Sequence, residues 1–92
     1  MSIVVIATTP GVTAELYDLS QQKMGLVGAL PDGCTSHIAG PGPDGWRVVA
    51  VWESAEALQR FTTEQLRPAL AELGVPAPPG PPVVYPVHAQ IG

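Results

Sequence analysis

An α+β domain, with a four-stranded antiparallel sheet carrying two helices on one face, is the fold this sequence predicts. Three observations lead there. Apolar segments follow one another in the order strand, helix, strand, strand, helix, strand. Segments 2–8 and 46–53 are apolar at successive positions and show almost no alternation. A sheet apolar on both faces needs two covers, and two helices supply only one. The second cover is expected to be another copy of the chain, meeting face to face about a two-fold axis.

Each element has its own signal. Residues 2–8 form the first strand, which Pro10-Gly11 ends. Thr13 caps the first helix, with Glu15 in its first turn, where the helix dipole favours a carboxylate. That helix runs to about Gly25, with Leu16, Tyr17, Leu19, Ser20, Lys23 and Met24 on one half of its wheel. Pro31-Asp32-Gly33 is a turn, and residues 34–39 are the second strand. Residues 40–45, rich in glycine and proline, read as a hairpin loop that returns the chain antiparallel along the third strand, 46–53. Ser54 caps the second helix, whose apolar stripe slips between Phe61 and Leu66. Pro68 removes a backbone donor there, so a kink or break is expected near residues 63–67. Gly74 closes the helix. Residues 75–82 hold five of the eleven prolines and read as a stiff connection to the last strand, 83–90.

Composition narrows the function. The 92 residues make one domain, spanning 1–92, that buries a modest share of its surface alone. Lys23, Arg47, Arg60 and Arg67 are the whole basic complement, scattered in a chain of net charge −4, which argues against a nucleic-acid partner. No run of about 18 apolar residues offers a membrane span. The first strand has no basic segment before it, so it does not read as a signal peptide, and a cytoplasmic location is expected. Cys34 is the lone cysteine, which excludes an intrachain disulfide and a multi-cysteine zinc site.

The order β-α-β-β-α-β is the ferredoxin-like split βαβ arrangement, with strands ordered 4-1-3-2. The stretch Gly45-Trp46-Arg47-Val48-Val49-Ala50-Val51-Trp52-Glu53-Ser54, with Glu56-Ala57 and Phe61, resembles the strand-three to helix-two signature of the dimeric α+β barrel superfamily. More narrowly, the chain is similar to antibiotic-biosynthesis-monooxygenase-like proteins. It is especially similar to small actinobacterial members that close on a segment like Tyr85-Pro86-Val87-His88. The resemblance implies a dimer and an organic ligand. The superfamily includes cofactor-free quinone-forming monooxygenases, polyketide cyclases, lactone isomerases, haem-degrading enzymes and proteins with no known activity. Trp52 matches the family's cavity-facing tryptophan. Val48 stands where an asparagine is frequent and Ala50 where an acid is common, and the second helix lacks the haem-ligating histidine. These departures count against haem degradation and weaken the quinone-forming assignment.

Strand alternation then assigns faces. With Trp52 on the cavity side, Trp46, Val48 and Ala50 join it. Val84, Pro86, His88 and Gln90 are expected inward on the last strand, and Thr35, His37 and Ala39 on the second. Val4, Ile6 and Thr8 are placed inward on the first. Arg47 and Ile38 are assigned to the helix side. The resulting inter-sheet cavity is largely apolar with a few polar groups, which suits an organic ligand. His88 and His37 are the candidate catalytic residues, because imidazole exchanges protons near neutral pH. Trp52, Val48, Ala50, Thr35 and Gln90 are the candidate substrate-binding residues. No metal site and no cofactor are expected: no carboxylate shares the histidines' face, and catalytic zinc normally takes three protein ligands. Lys23 reads as a helix-end cation, Asp44 as a turn residue and Cys34 as a small core residue.

The reading is a homodimer that binds a small apolar or aromatic molecule. It acts as a cofactor-independent cyclase, isomerase or monooxygenase of polyketide or aromatic metabolism. The alternative is a non-catalytic ligand-binding or structural homodimer.

Overall fold

The computed structural model describes residues 1–75 and 81–91. Four strands, β1 (Ile3–Thr9), β2 (Cys34–Gly42), β3 (Gly45–Trp52) and β4 (Val83–Pro86), form one antiparallel sheet in the order β2-β3-β1-β4. This is the expected 4-1-3-2 arrangement. Helix α1 (Ala14–Met24) crosses from β1 to β2. The second crossover holds α2 (Ala55–Phe61), a π-helical turn (Thr62–Leu66) and α3 (Arg67–Glu72). Most of the proline-rich connection expected at 75–82 lies outside the described residues.

The caps are where the sequence puts them. The Thr13 hydroxyl accepts from the Leu16 N–H at 3.2 Å, and Gly25 ends α1 at φ 70°. The Ser54 hydroxyl accepts from the Ala57 N–H at 3.1 Å. The interruption of the second helix is a widened turn. The Arg67 N–H donates to the Thr62 carbonyl, five residues back, instead of four. Pro68 follows at the start of α3 and has no N–H for the next bond. The inserted residue turns Ala69 into the interior, where it is 5% exposed.

Strand limits differ from the expected ones at the hairpin and at the last strand. β2 and β3 extend until Gly42 faces Gly45, which leaves a two-residue turn at Pro43-Asp44 where a longer loop was expected. Gly45 sits at φ 136°, and a Cβ there would lie 2.7 Å from the Thr9 carbonyl oxygen. No other residue fits that crossing of β3 under β1. β4 ends at Pro86, four residues short of the expected end. The Val87 N–H still donates to the Ser2 carbonyl at 3.0 Å before the chain leaves the sheet.

The two sheet faces are the reverse of most of the sequence assignment. Trp46 packs its ring 5.2 Å from Tyr17 of α1, and Trp52 packs 5.2 Å from Phe61 of α2. Ala50, on the same face, is buried with Val5 and Cys34 in the core beneath the helices. The register carries that phase across the sheet: Val5 lies opposite Ala50, Ile3 opposite Trp52, and His37 opposite Ala50. Trp46, Val48, Ala50, Trp52, His37 and Ala39 are therefore on the helix face. The open face carries Val4, Ile6 and Thr8 of β1, Arg47, Val49 and Val51 of β3, Ile38 of β2, and Val83 and Tyr85 of β4. Only β1 keeps the phase expected for it. On β4, Val84 and Pro86 face the helix side because they pair with Val5 and Ile3. Ile38 is 68% exposed and Tyr85 54% exposed on the uncovered side.

Candidate active site at the α1–β2 cavity

A cavity of about 600 Å³ opens between α1, the loop 26–30 and β2. Its α1 wall is one stretch of helix surface, Tyr17, Asp18, Gln21 and Gln22, because residues three and four apart share a face. The rest of the lining is the apolar loop with Leu26, Val27 and Leu30, together with His37 of β2. The loop is held at one end by the Leu26 N–H, which donates to the Gln21 carbonyl at 2.9 Å behind Gly25. Val27 and Leu30 stay exposed at the rim.

Tyr17 and His37 meet inside this cavity. The tyrosine hydroxyl lies 2.6 Å from His37 Nε2, and the rings stack at 6.0 Å with 21° between their planes. Burial holds the His37 imidazole below its ordinary pKa. Burial, then the neighbouring Asp18 carboxylate, holds the Tyr17 phenol above its own. Both groups are therefore neutral at pH 7. In the tautomer with the ring proton on Nδ1, the hydroxyl donates and Nε2 accepts. The Ser20 hydroxyl, buried behind the pair, donates to the Tyr17 carbonyl at 2.7 Å, and Trp46 backs the tyrosine ring. A short hydrogen bond between a neutral phenol and a neutral imidazole is a proton path. Such a path would let a hydroxyl placed at Tyr17 give up a proton as the tyrosine proton passes to His37.

The other sequence candidates lie elsewhere. His88 is exposed in a bend beyond β4, and Gln90 is exposed further along, so neither reaches an inward position by strand alternation. The short β4 is the reason: the strand that would have aimed them ends at Pro86. Trp52, Val48 and Ala50 belong to the helix face, and the 3% exposure of Trp52 leaves it no surface for a ligand. Thr35 is the extra residue of a β-bulge. It is exposed, and its hydroxyl donates to the Val51 carbonyl at a long 3.4 Å. Cys34 is buried, and its thiol pKa is raised chiefly by that burial, which keeps it protonated. The sequence reading passed over Tyr17 and Gln21. A tyrosine on the apolar stripe of a core-facing helix was the available signal, since a buried hydroxyl needs a polar partner.

Among the described residues, no group of three or more His, Cys, Asp or Glu side chains is placed to hold a metal ion. Among those residues, no helix is long and apolar enough to cross a membrane.

No family model and no curated protein matches the sequence. Solved structures do. A protein assigned as an antibiotic biosynthesis monooxygenase from Chloroflexus aurantiacus superimposes with a TM-score of 0.65 and 18% identity, over 99% of this chain and 95% of that one. The chain has this fold. SnoaB, a cofactor-independent oxygenase from Streptomyces nogalater, gives 0.58 at 16% identity, over 98% and 94% of the two chains. A monooxygenase from the ActVA-Orf6 gene of Streptomyces coelicolor, in complex with nanaomycin D, gives 0.50 at 24% identity, over 99% and 91%. The shared fold is the ferredoxin-like sheet of these monooxygenase-named proteins, in agreement with the resemblance read from residues 45–61.

Proposed function

We propose that this chain is a small cofactor-independent enzyme that takes a proton from an apolar aromatic or polyketide-like substrate bound in the α1–β2 cavity. The observation that carries the reading is the 2.6 Å bond between Tyr17 and His37 at the wall of that cavity. The substrate hydroxyl donates to the Tyr17 oxygen, the Tyr17 proton moves to His37 Nε2, and an imidazolium and a substrate anion result. In a monooxygenase reaction the electron-rich anion reduces dioxygen: a ring CH₂ becomes a carbonyl with one oxygen atom, and the other leaves as water. In a cyclisation or isomerisation the imidazolium returns the proton to the rearranged product. The neighbours called oxygenase and monooxygenase, one of them holding nanaomycin D, support the first of these. Proton transfer moves from the expected His88 to His37 in this reading.

The test is incubation of the purified chain with a panel of hydroxynaphthalenes and anthrones, without added flavin or metal. Oxygen uptake is read with an electrode and products by mass spectrometry. Product formation supports the enzyme. Saturable binding with no product between pH 5 and 9 would establish the non-catalytic ligand-binding dimer instead.

The open sheet face is proposed to close on a second copy of the chain. Val4, Ile6, Val49, Val51 and Ile38 make it apolar, and these branched side chains pave it evenly. Val49→Asp should leave a folded monomer, because the carboxylate lies on the side away from the helices. Sedimentation equilibrium at micromolar concentration checks this. The unmodified chain is expected at twice the chain mass, and a well-folded unmodified monomer would refute the pairing.

A further inference from the structure

We infer that Gln21 sets which substrates the α1–β2 cavity accepts, by holding a ketone oxygen one helical turn from the hydroxyl that meets Tyr17. This rests on the reading of the cavity as a substrate site. Gln21 follows Tyr17 by four residues on α1, so the two side chains stand side by side at the cavity wall, about 5–6 Å apart at Cβ. Both are half-buried, whereas the neighbouring Asp18 and Gln22 of the same wall are exposed. The Gln21 backbone carbonyl accepts from Leu26 and Gly25, which fixes the turn that carries it. Its side-chain amide makes no hydrogen bond among the described residues, so its two N–H donors are free to meet a ligand. Leu26, Val27 and Leu30 line the same cavity and offer only apolar contact.

Those surfaces describe the complementary molecule. It has a flat apolar body, which lies on the loop side chains, and two oxygens on one edge. One oxygen is a hydroxyl that donates to the Tyr17 oxygen. The other is a carbonyl that accepts from Gln21, with a separation near that of one helical turn. A carbonyl placed there also withdraws electrons from the ring, which eases loss of the hydroxyl proton toward Tyr17 and His37. A planar phenol without the ketone would fill the same apolar space and leave the amide to water.

Two compounds that differ only in the ketones test this: 2-hydroxyanthraquinone and 2-hydroxyanthracene. Binding is read by quenching of tryptophan fluorescence, since Trp46 lies 5.2 Å from the Tyr17 ring. The unmodified chain should bind the quinone about tenfold more tightly than the hydroxyanthracene, one hydrogen bond's worth of preference. Gln21→Leu should erase that preference by weakening the quinone alone. Gln65→Leu, at an exposed position outside the lining of this cavity, should leave both affinities unchanged, and circular dichroism confirms that each variant folds. Equal weakening of both compounds by Gln21→Leu, or no change in either, would overturn the assignment while leaving the cavity reading in place. If the unmodified chain binds neither compound, the cavity reading fails and this inference fails with it.

Discussion

His37→Ala is expected to lower turnover by about 10²- to 10⁴-fold, the scale set by removing a positioned acid or base. The fold should survive, because His37 is only half-buried and its recorded side-chain partner is the Tyr17 hydroxyl. Tyr17→Phe should fall in the same range, since it removes the atom between substrate and imidazole. The pH profile adds a second readout. In the proposed reaction His37 works as the neutral ring, and burial holds its pKa below 6.5. Activity should therefore be flat near neutrality and be lost as pH falls through that lowered value. Stability follows the same direction. The unfolded chain takes up the proton first as pH drops below 6.5, so the contribution of the neutral buried ring is present above that value. It is lost as pH falls through the folded-state pKa. Single-turnover kinetics on the best compound of the panel decides the matter. A His37→Ala variant with unchanged turnover would remove the dyad from the reaction.

Trp52→Ala should be the most damaging single exchange to stability, at about 3–5 kcal/mol. Trp52 is 3% exposed and packs on Phe61, Ile3 and Cys34 lie opposite it in the sheet, and Ala57 and Leu58 border the same core. Small domains hold only about 5–15 kcal/mol in reserve, so the variant should melt well below the unmodified chain or fail to fold. Urea denaturation followed by circular dichroism measures the loss. The family resemblance makes the opposite forecast for this residue. A cavity-facing tryptophan would cost ligand affinity and little stability. A Trp52→Ala variant with an unchanged denaturation midpoint and no ligand binding would restore that role and contradict the packing seen here.

The contrast over Trp52 shows what was legible in the sequence. Element order, both N-caps, the αL glycine after α1 and the break before Pro68 are local features, and each is written in a few adjacent residues. The face of each strand is not. Positions 48–51 are Val, Val, Ala and Val, so neither parity is polar and alternation carries no phase. The phase is fixed from a distance, by Tyr17 and Phe61 on the helices that reach Trp46 and Trp52. On β4, Val83, Val84 and Tyr85 are apolar at successive positions and likewise carry no phase, and on β2 a bulge between Cys34 and Ser36 shifts the pairing besides. One clue was present: both tryptophans share a parity with alanine, while the other parity holds Arg47 and two valines. Bulky rings beside a small residue suit the uneven space under helices, and even β-branched rows suit a sheet-to-sheet contact. The Tyr17–His37 pair was half visible. His37 was singled out, but its partner stood twenty positions earlier, and only the crossover brings the two together.

The widened turn at Thr62–Leu66 makes the length of this segment matter more than its composition. Each residue added to or removed from a helix rotates everything beyond it by about 100°. A one-residue deletion at the turn would give a smoother helix and a worse protein: Ala69 would swing out of the interior, and Glu72 would leave its 2.8 Å contact with Lys23. Substitutions at the exposed Thr63, Glu64 and Gln65 should pass largely unnoticed. The site behaves as a spacer whose one surplus residue is the part that counts, and any shortening must be matched by a compensating insertion before Ala69.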